Sequence, residues 1–230
     1  MKKRYLRAGL LIFGIMGVIA YSLFPAQKEV ECLEKNSVNF YPYGASEDGT
    51  AFLEVESFAF KCRLSNESGN CGVGLSFDKI GGDYKNWNLM DSLVFNLQSS
   101  ENFEELIVQI LTYDPDYTDP NNRNTMKPAI KELYLSPGTR RYSIAMEHFY
   151  TPDYWFEQQK AKNVHNAKRF SAVAGLEMFS GWKNQADKPL ELKAESICAE
   201  GFSNTSFVVL VIYISILIAI AISVRTKNSH

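Results

Sequence analysis

Leu190-Glu-Leu-Lys-Ala-Glu195 alternates apolar and charged residues without a break. Leu190, Leu192 and Ala194 point one way and Glu191, Lys193 and Glu195 the other, which marks a strand with one face buried and one in water. Earlier stretches repeat the pattern. Phe52, Glu54, Glu56, Phe58 and Phe60 alternate with Leu53, Val55, Ser57 and Ala59, predicting one long strand, and Leu93, Phe95 and Leu97 alternate with Val94 and Asn96. Residues 71–77 read as a Gly-rich strand. Residues 106–111 and 171–179 are apolar at odd and even positions alike, so both predict strands buried on two faces. Residues 130–135 and 142–146 read as short strands across the turn Ser136-Pro-Gly-Thr-Arg140. One surface helix is expected over 153–161, begun by Thr151-Pro152-Asp153. Residues 25–49 carry few regular signals and read as an entry segment. About eight strands with little helix predict an all-β, antiparallel β-sandwich of jelly-roll type.

Outward from the sandwich, charge disappears at both ends. No charged residue lies between Arg7 and Lys28, nor from Gly201 to Val224. Each run is long enough for a membrane-spanning helix, which needs about 20 apolar residues. Lys2, Lys3, Arg4 and Arg7 precede the first run, and Arg225 and Lys227 follow the second. Both tails therefore read as cytoplasmic. The expected organisation is a tail at 1–7, a span at 8–27, an extracytoplasmic sandwich at 28–200, a second span at 201–224 and a tail at 225–230. No small-x-small cleavage site follows the first run, so it reads as an anchor and not a cleaved signal peptide. Gly14 and Gly17 could share a face and permit tight helix contact. The expected location is a bacterial cytoplasmic membrane, with the main domain in the periplasm.

All 26 acidic residues fall between the apolar runs with 18 of the 24 basic ones, giving this middle part a net charge of −8. An acidic domain on the outer side is a poor partner for nucleic acid, whose binding rests on phosphate contacts. The four cysteines, Cys32, Cys62, Cys71 and Cys198, suit an oxidising compartment. Cys62 and Cys71 bracket a turn-rich stretch, and Cys32 and Cys198 lie just outside the two apolar runs, on the domain side of each. Three pairings are possible and sequence does not choose among them.

Two features suggest a binding site. The loop 113–128 is long for a sandwich, and such loops often carry function. Its Asp114, Asp116 and Asp119 could offer oxygen ligands to calcium, although the glycine and closing Glu of an EF-hand are missing. Aromatics cluster beside polar groups at Tyr84 and Trp87, at Tyr154 and Trp155, and at Trp182. Aromatic faces with adjacent polar groups are what a saccharide site uses. The expected ligand-binding residues are Tyr84, Trp87, Asp114, Asp116, Tyr154 and Trp155. No nucleophile elbow, zinc-protease helix or phosphate loop is present, and Glu147, His148 and His165 form no catalytic pattern. The expectation is a binding protein with no enzymatic activity and no cofactor apart from the calcium candidates.

The ordered motifs Trp87-Asn-Leu-Met-Asp91, Thr112-Tyr-Asp-Pro-Asp-Tyr-Thr118, Thr125-Met-Lys127, Phe149-Tyr-Thr-Pro-Asp-Tyr-Trp155, Val173 to Glu177 and Gly181-Trp182 resemble the extracytoplasmic sensor region of bacterial membrane signalling proteins. That family includes diguanylate cyclases with a GGDEF output domain and sensor histidine kinases. The resemblance implies a galactose-binding-like jelly roll and a signalling role, with the chemistry in an output domain. Only six residues follow Val224, too few for such a domain, so the expectation is either the receptor half of a cut protein or a chain that passes its signal to a separate membrane or cytoplasmic signalling partner, with a homodimer as one means of transmission. The alternative expectation is an accessory or scaffold protein whose sandwich binds another envelope protein.

Overall fold

The computed structural model describes residues 13–17, 19, 27–44, 52–64, 69–77, 84–119, 122–161, 170–203 and 205–226. Lys2, Lys3, Arg4, Arg7, Gly9, the turn tip at 65–68, His165 and Lys227 lie outside them. The described strands are β1 (Gln27–Cys32), β2 (Asn39–Tyr43), β3 (Phe52–Glu56), β4 (Ala59–Arg63), β5 (Gly72–Ser76), β6 (Met90–Ser99), β7 (Glu105–Thr112), β8 (Lys127–Tyr134), β9 (Gly138–Ala145), β10 (Val173–Ser180) and β11 (Pro189–Ser203). They form two antiparallel sheets, one ordered β3-β4-β11-β6-β9 with β1 also on β11, the other β2-β5-β10-β7-β8. The orders β4-β11-β6-β9 and β5-β10-β7-β8 are those of a jelly roll. The expected all-β sandwich is present, with β1, β2 and β3 added to its eight strands.

Three sequence expectations change. The single strand expected at 52–60 is a hairpin, because Ser57 takes a positive φ of 58° and turns the chain between β3 and β4. The alternation runs unbroken through the turn, so the pattern could not show it. The entry segment 25–49 contains β1, a 3-10 turn at Lys35–Ser37, and β2. The helix is shorter than expected, Asp153–Gln158, and Pro152 stands at its N-cap without a side-chain cap.

The core lies between the sheets, built on Phe60, Leu75, Trp87, Leu93, Phe95, Leu106, Val108, Leu176 and Leu192. Leu190, Leu192 and Ala194 are buried there and Glu191 and Lys193 face water, as their alternation requires. Every residue of β7 and β10 is buried. Disulfides join Cys32 to Cys198 and Cys62 to Cys71. The first holds β1 to β11, beside the hydrogen bond from the Leu33 N–H to the Ile197 carbonyl at 2.9 Å.

The chain divides into two compact units, residues 30–200 and the joined ends 1–29 with 201–230. In the second unit Thr205–Thr226 is helical. Its described side chains, from 208 to 220, are apolar apart from Tyr213 and Ser215; most are exposed, including Val209, Ile212, Ile214, Ile216 and Ile218, while Leu210, Tyr213 and Leu217 are half-buried along one stripe. The Tyr213 hydroxyl donates to the Phe13 carbonyl at 2.6 Å, and its ring lies against Gly17. Counted over described residues, no helix is long and apolar enough to cross a membrane.

Candidate functional site

Side chains alternate across a sheet, so the register of the β2-β5-β10-β7-β8 sheet defines what its outer face presents. One row across that face is Tyr41, Gly74, Glu177, Gln109 and Ile130, and the next is Tyr43, Gly72, Phe179, Ile107 and Glu132. Glu177 is thus a carboxylate on the side of the sheet away from the core, yet it is only 4% exposed. The Tyr41 hydroxyl donates to its Oε1, and Gln109 Nε2 donates to its Oε2 at 2.5 Å.

Two glycines make this arrangement possible. A Cβ at residue 74 would enter the Tyr41 ring, and a Cβ at residue 175 would press on Arg123 Nη2 at 2.7 Å. Tyr41 and Arg123 therefore lie directly on the sheet, with the guanidinium carbon 4.2 Å from the Tyr41 ring centroid. Arg123 Nε and Nη2 are buried and make no hydrogen bond among the described residues. Tyr43 packs on Phe179 with ring centroids 4.5 Å apart.

Burial raises the Glu177 pKa, and the hydrogen bonds from Tyr41 and Gln109 and the charge of Arg123 only partly offset it. Burial, followed by the field of Glu177, also raises the phenols of Tyr41, Tyr43 and Tyr154. These four groups share one electrostatic neighbourhood. Tyr150, beside them, is pushed up to about 12, chiefly by donating to Glu132 at 2.6 Å. Shifted ionisable groups cluster at functional sites, and structural networks shift them as well.

The residues singled out in the sequence fall in different places. Tyr154 joins the outer-face cluster and is half exposed. Trp155, 2% exposed, packs under loop 113–126, its indole N–H donating to the Met126 carbonyl at 2.9 Å. Trp87 is fully buried in the main core, where it meets Phe77 and donates to Glu31 at 3.0 Å. Tyr84 stacks on Tyr113 in a small cluster with Leu111, Met126 and Ala174. The Asp114 carboxylate serves a turn of the loop, and the Asp116 and Asp119 backbone N–H groups take part in its hydrogen bonds. Asp114 Oδ1 accepts from the Asp116 N–H at 3.1 Å, and the Asp119 N–H donates to Thr125 Oγ1 at 2.8 Å. Among the described residues no group of three or more His, Cys, Asp or Glu could hold a metal.

Glu177, Tyr41, Tyr43, Gln109 and Arg123 were not singled out from sequence. The available signal was one Glu in the apolar run 173–180 and one Gln in 106–111, each inside a strand buried on both faces. A separate groove of about 500 Å³ lies on the other sheet, lined by Lys35, Phe58, Lys61, Gln98, Glu191 and Lys193. Its Lys61–Glu191 pair, at 3.6 Å, is exposed on both sides and screened by water. Its buried polar residue, Ser99, already donates to the Ser136 carbonyl at 3.2 Å, and no buried charge lines it, so chemistry favours the Glu177 face.

No protein-family model matches the chain, and no curated protein matches it. Solved structures similar to it include the family 11 carbohydrate-binding module from Clostridium thermocellum in complex with a β-1,3-1,4-mixed-linked tetrasaccharide. The identity is 10%, covering 75% of this chain and 95% of that one, with a TM-score of 0.49. The family 30 carbohydrate-binding module of a cellulosomal cellulase of the same organism is 11% identical over 74% and 96%, with a TM-score of 0.46. An agarase is 7% identical over 73% and 23%, with a TM-score of 0.39. At these identities the likeness is one of chain path and assigns this chain no ligand.

Proposed function

We propose that this chain is a membrane-anchored binding protein whose jelly roll takes a polar small molecule, a saccharide in the favoured reading, on the outer face of the five-stranded sheet. The observation that carries the reading is Glu177, a buried carboxylate on the face of the sheet that the core does not use. Burying a charge is costly unless it is paired and hydrogen-bonded. A fold needs no carboxylate there, whereas a site that orients hydroxyl groups does. Tyr43 and Tyr154 supply aromatic faces and phenolic hydroxyls beside it, and ligand sites combine such apolar walls with a few placed polar groups.

Anchoring rests on the two apolar runs and on a helix whose described side chains, apart from Tyr213 and Ser215, are apolar on every side. A helix hydrophobic on every side is at home in lipid. In this reading the tails are cytoplasmic and the jelly roll extracytoplasmic. Any signal passes through the ends of the chain to a second copy or to a separate membrane partner, and the calcium candidates of loop 113–126 have no part in it.

The test is a thermal-shift screen of the full chain in detergent micelles against mono- and oligosaccharides, amino acids and calcium. A ligand at 100 times its dissociation constant adds about 2.7 kcal/mol of stability. The reading expects a saccharide hit that Glu177→Gln and Tyr154→Ala both weaken. A blank screen from folded protein, or a hit indifferent to both substitutions, overturns it and favours a protein-binding scaffold.

A further inference from the structure

Trp182 is 64% exposed, whereas Trp87 and Trp155, the other two of the chain's three tryptophans, are buried. Its indole makes no ring contact or hydrogen bond among the described residues. The turn that carries it is nevertheless firmly held. Asn184, 3% exposed, accepts from the Glu104 N–H at 2.8 Å and the Glu105 N–H at 3.2 Å. It donates to the carbonyls of Glu105 at 2.6 Å and Gly181 at 3.0 Å. The Gly181 N–H donates to the Glu105 carbonyl at 2.8 Å, and buried Glu105 accepts from the Lys183 N–H at 3.2 Å. Such a frame displays an indole to water at little further entropic cost when a ligand arrives. Beside it, Lys183 Nζ lies 3.2 Å from the Tyr134 hydroxyl and 4.3 Å from that ring's centroid, and Tyr134 is 59% exposed.

The register connects this tip to the Glu177 site. Tyr134 pairs with Glu105, and Gln109, which holds Glu177, lies four residues along the same strand. Glu105, Ile107 and Gln109 share the outer face, so the two places lie about 14 Å apart along it, from a rise of roughly 3.4 Å per residue. An exposed aromatic face with a hydroxyl and an ammonium at its edge suits a sugar ring, whose faces are C–H and whose rim is hydroxyl. We propose that Trp182, Lys183 and Tyr134 form a second saccharide subsite on this face, and that the ligand is therefore a chain long enough to touch both places. The inference rests on the saccharide reading of the Glu177 site.

The test is titration calorimetry of the full chain in micelles with linear gluco-, galacto-, N-acetylglucosamine and uronate oligosaccharides of increasing length. Acrylamide quenching of the one exposed tryptophan runs in parallel. The expected result is affinity that rises with chain length, shielding of Trp182 by long but not short chains, and a loss of about threefold to tenfold for long chains in Trp182→Ala. Short-chain affinity stays as in the wild type. Binding that ignores length, or is equal in Trp182→Ala, overturns the second subsite and leaves the first standing. If no chain of any length binds folded protein, both readings fail together. Trp182→Phe, which keeps a ring, should restore most of the long-chain affinity.

Discussion

Replacing Tyr41 by Phe removes one hydroxyl and leaves the ring in place over Gly74 and beneath Arg123. The hydroxyl donates to Glu177, which is 4% exposed and has one other donor, Gln109. A hydrogen bond to a charged group contributes roughly 1.5–3 kcal/mol, against roughly 0.5–1.5 for a neutral pair. Tyr41→Phe should therefore cost about 2 kcal/mol in the wild type and about 1 in a Glu177→Gln background, where no charge is left stranded. Guanidinium unfolding of the full chain in micelles, followed by the fluorescence of buried Trp87 and Trp155, measures both. The coupling should also shrink on acidification, because Glu177 takes up a proton above the ordinary carboxylate range. An equal penalty in the two backgrounds, or one unchanged between neutral and acid pH, would refute the account of the outer-face cluster.

Three more outcomes follow from the same structure. Burial raises the folded pKa of Glu177 above the ordinary carboxylate value, so the folded state holds the proton longer and stability falls as pH rises through that interval. Glu177→Gln should thus be the more stable protein at neutral pH, and the difference should close below about pH 4.5, read from melting temperatures across pH. Cys32→Ser/Cys198→Ser opens a link across 166 residues and Cys62→Ser/Cys71→Ser one across 9. Chain entropy predicts losses of about 5 and about 2.5 kcal/mol, checked by denaturant midpoints of the two double variants. Gly74→Ala must push the Tyr41 ring off the sheet; it should cost roughly 1–3 kcal/mol with an unchanged denaturant slope, and should weaken any ligand of the Glu177 site.

The strands that alternate cleanly or stay apolar on both faces, β6, β7, β10 and β11, were legible in the sequence because burial alone sets their pattern. β2 was not. It lies at the edge of its sheet, where Pro42 is tolerated because one row of backbone groups needs no partner. The β3–β4 hairpin was hidden because Ser57 accepts a positive φ without any glycine to announce the turn. The site was legible only at Tyr154. Trp87 and Trp155 have the composition of a sugar platform, but each buries its ring and satisfies its N–H internally, which a sequence does not distinguish from exposure. Tyr41 and Glu177 meet across 136 residues, through the order of strands in a sheet and not through spacing.

The central claim is that the outer face of the five-stranded sheet is the binding face. Photoaffinity labelling of the full chain with the tightest saccharide found by screening, mapped by mass spectrometry, tests it most directly. The account predicts crosslinks at Tyr43, Tyr154 and the β10 segment around Glu177, suppressed in Glu177→Gln. Crosslinks concentrated instead at Lys35, Lys61 and Lys193, in the groove of the other sheet, would contradict it.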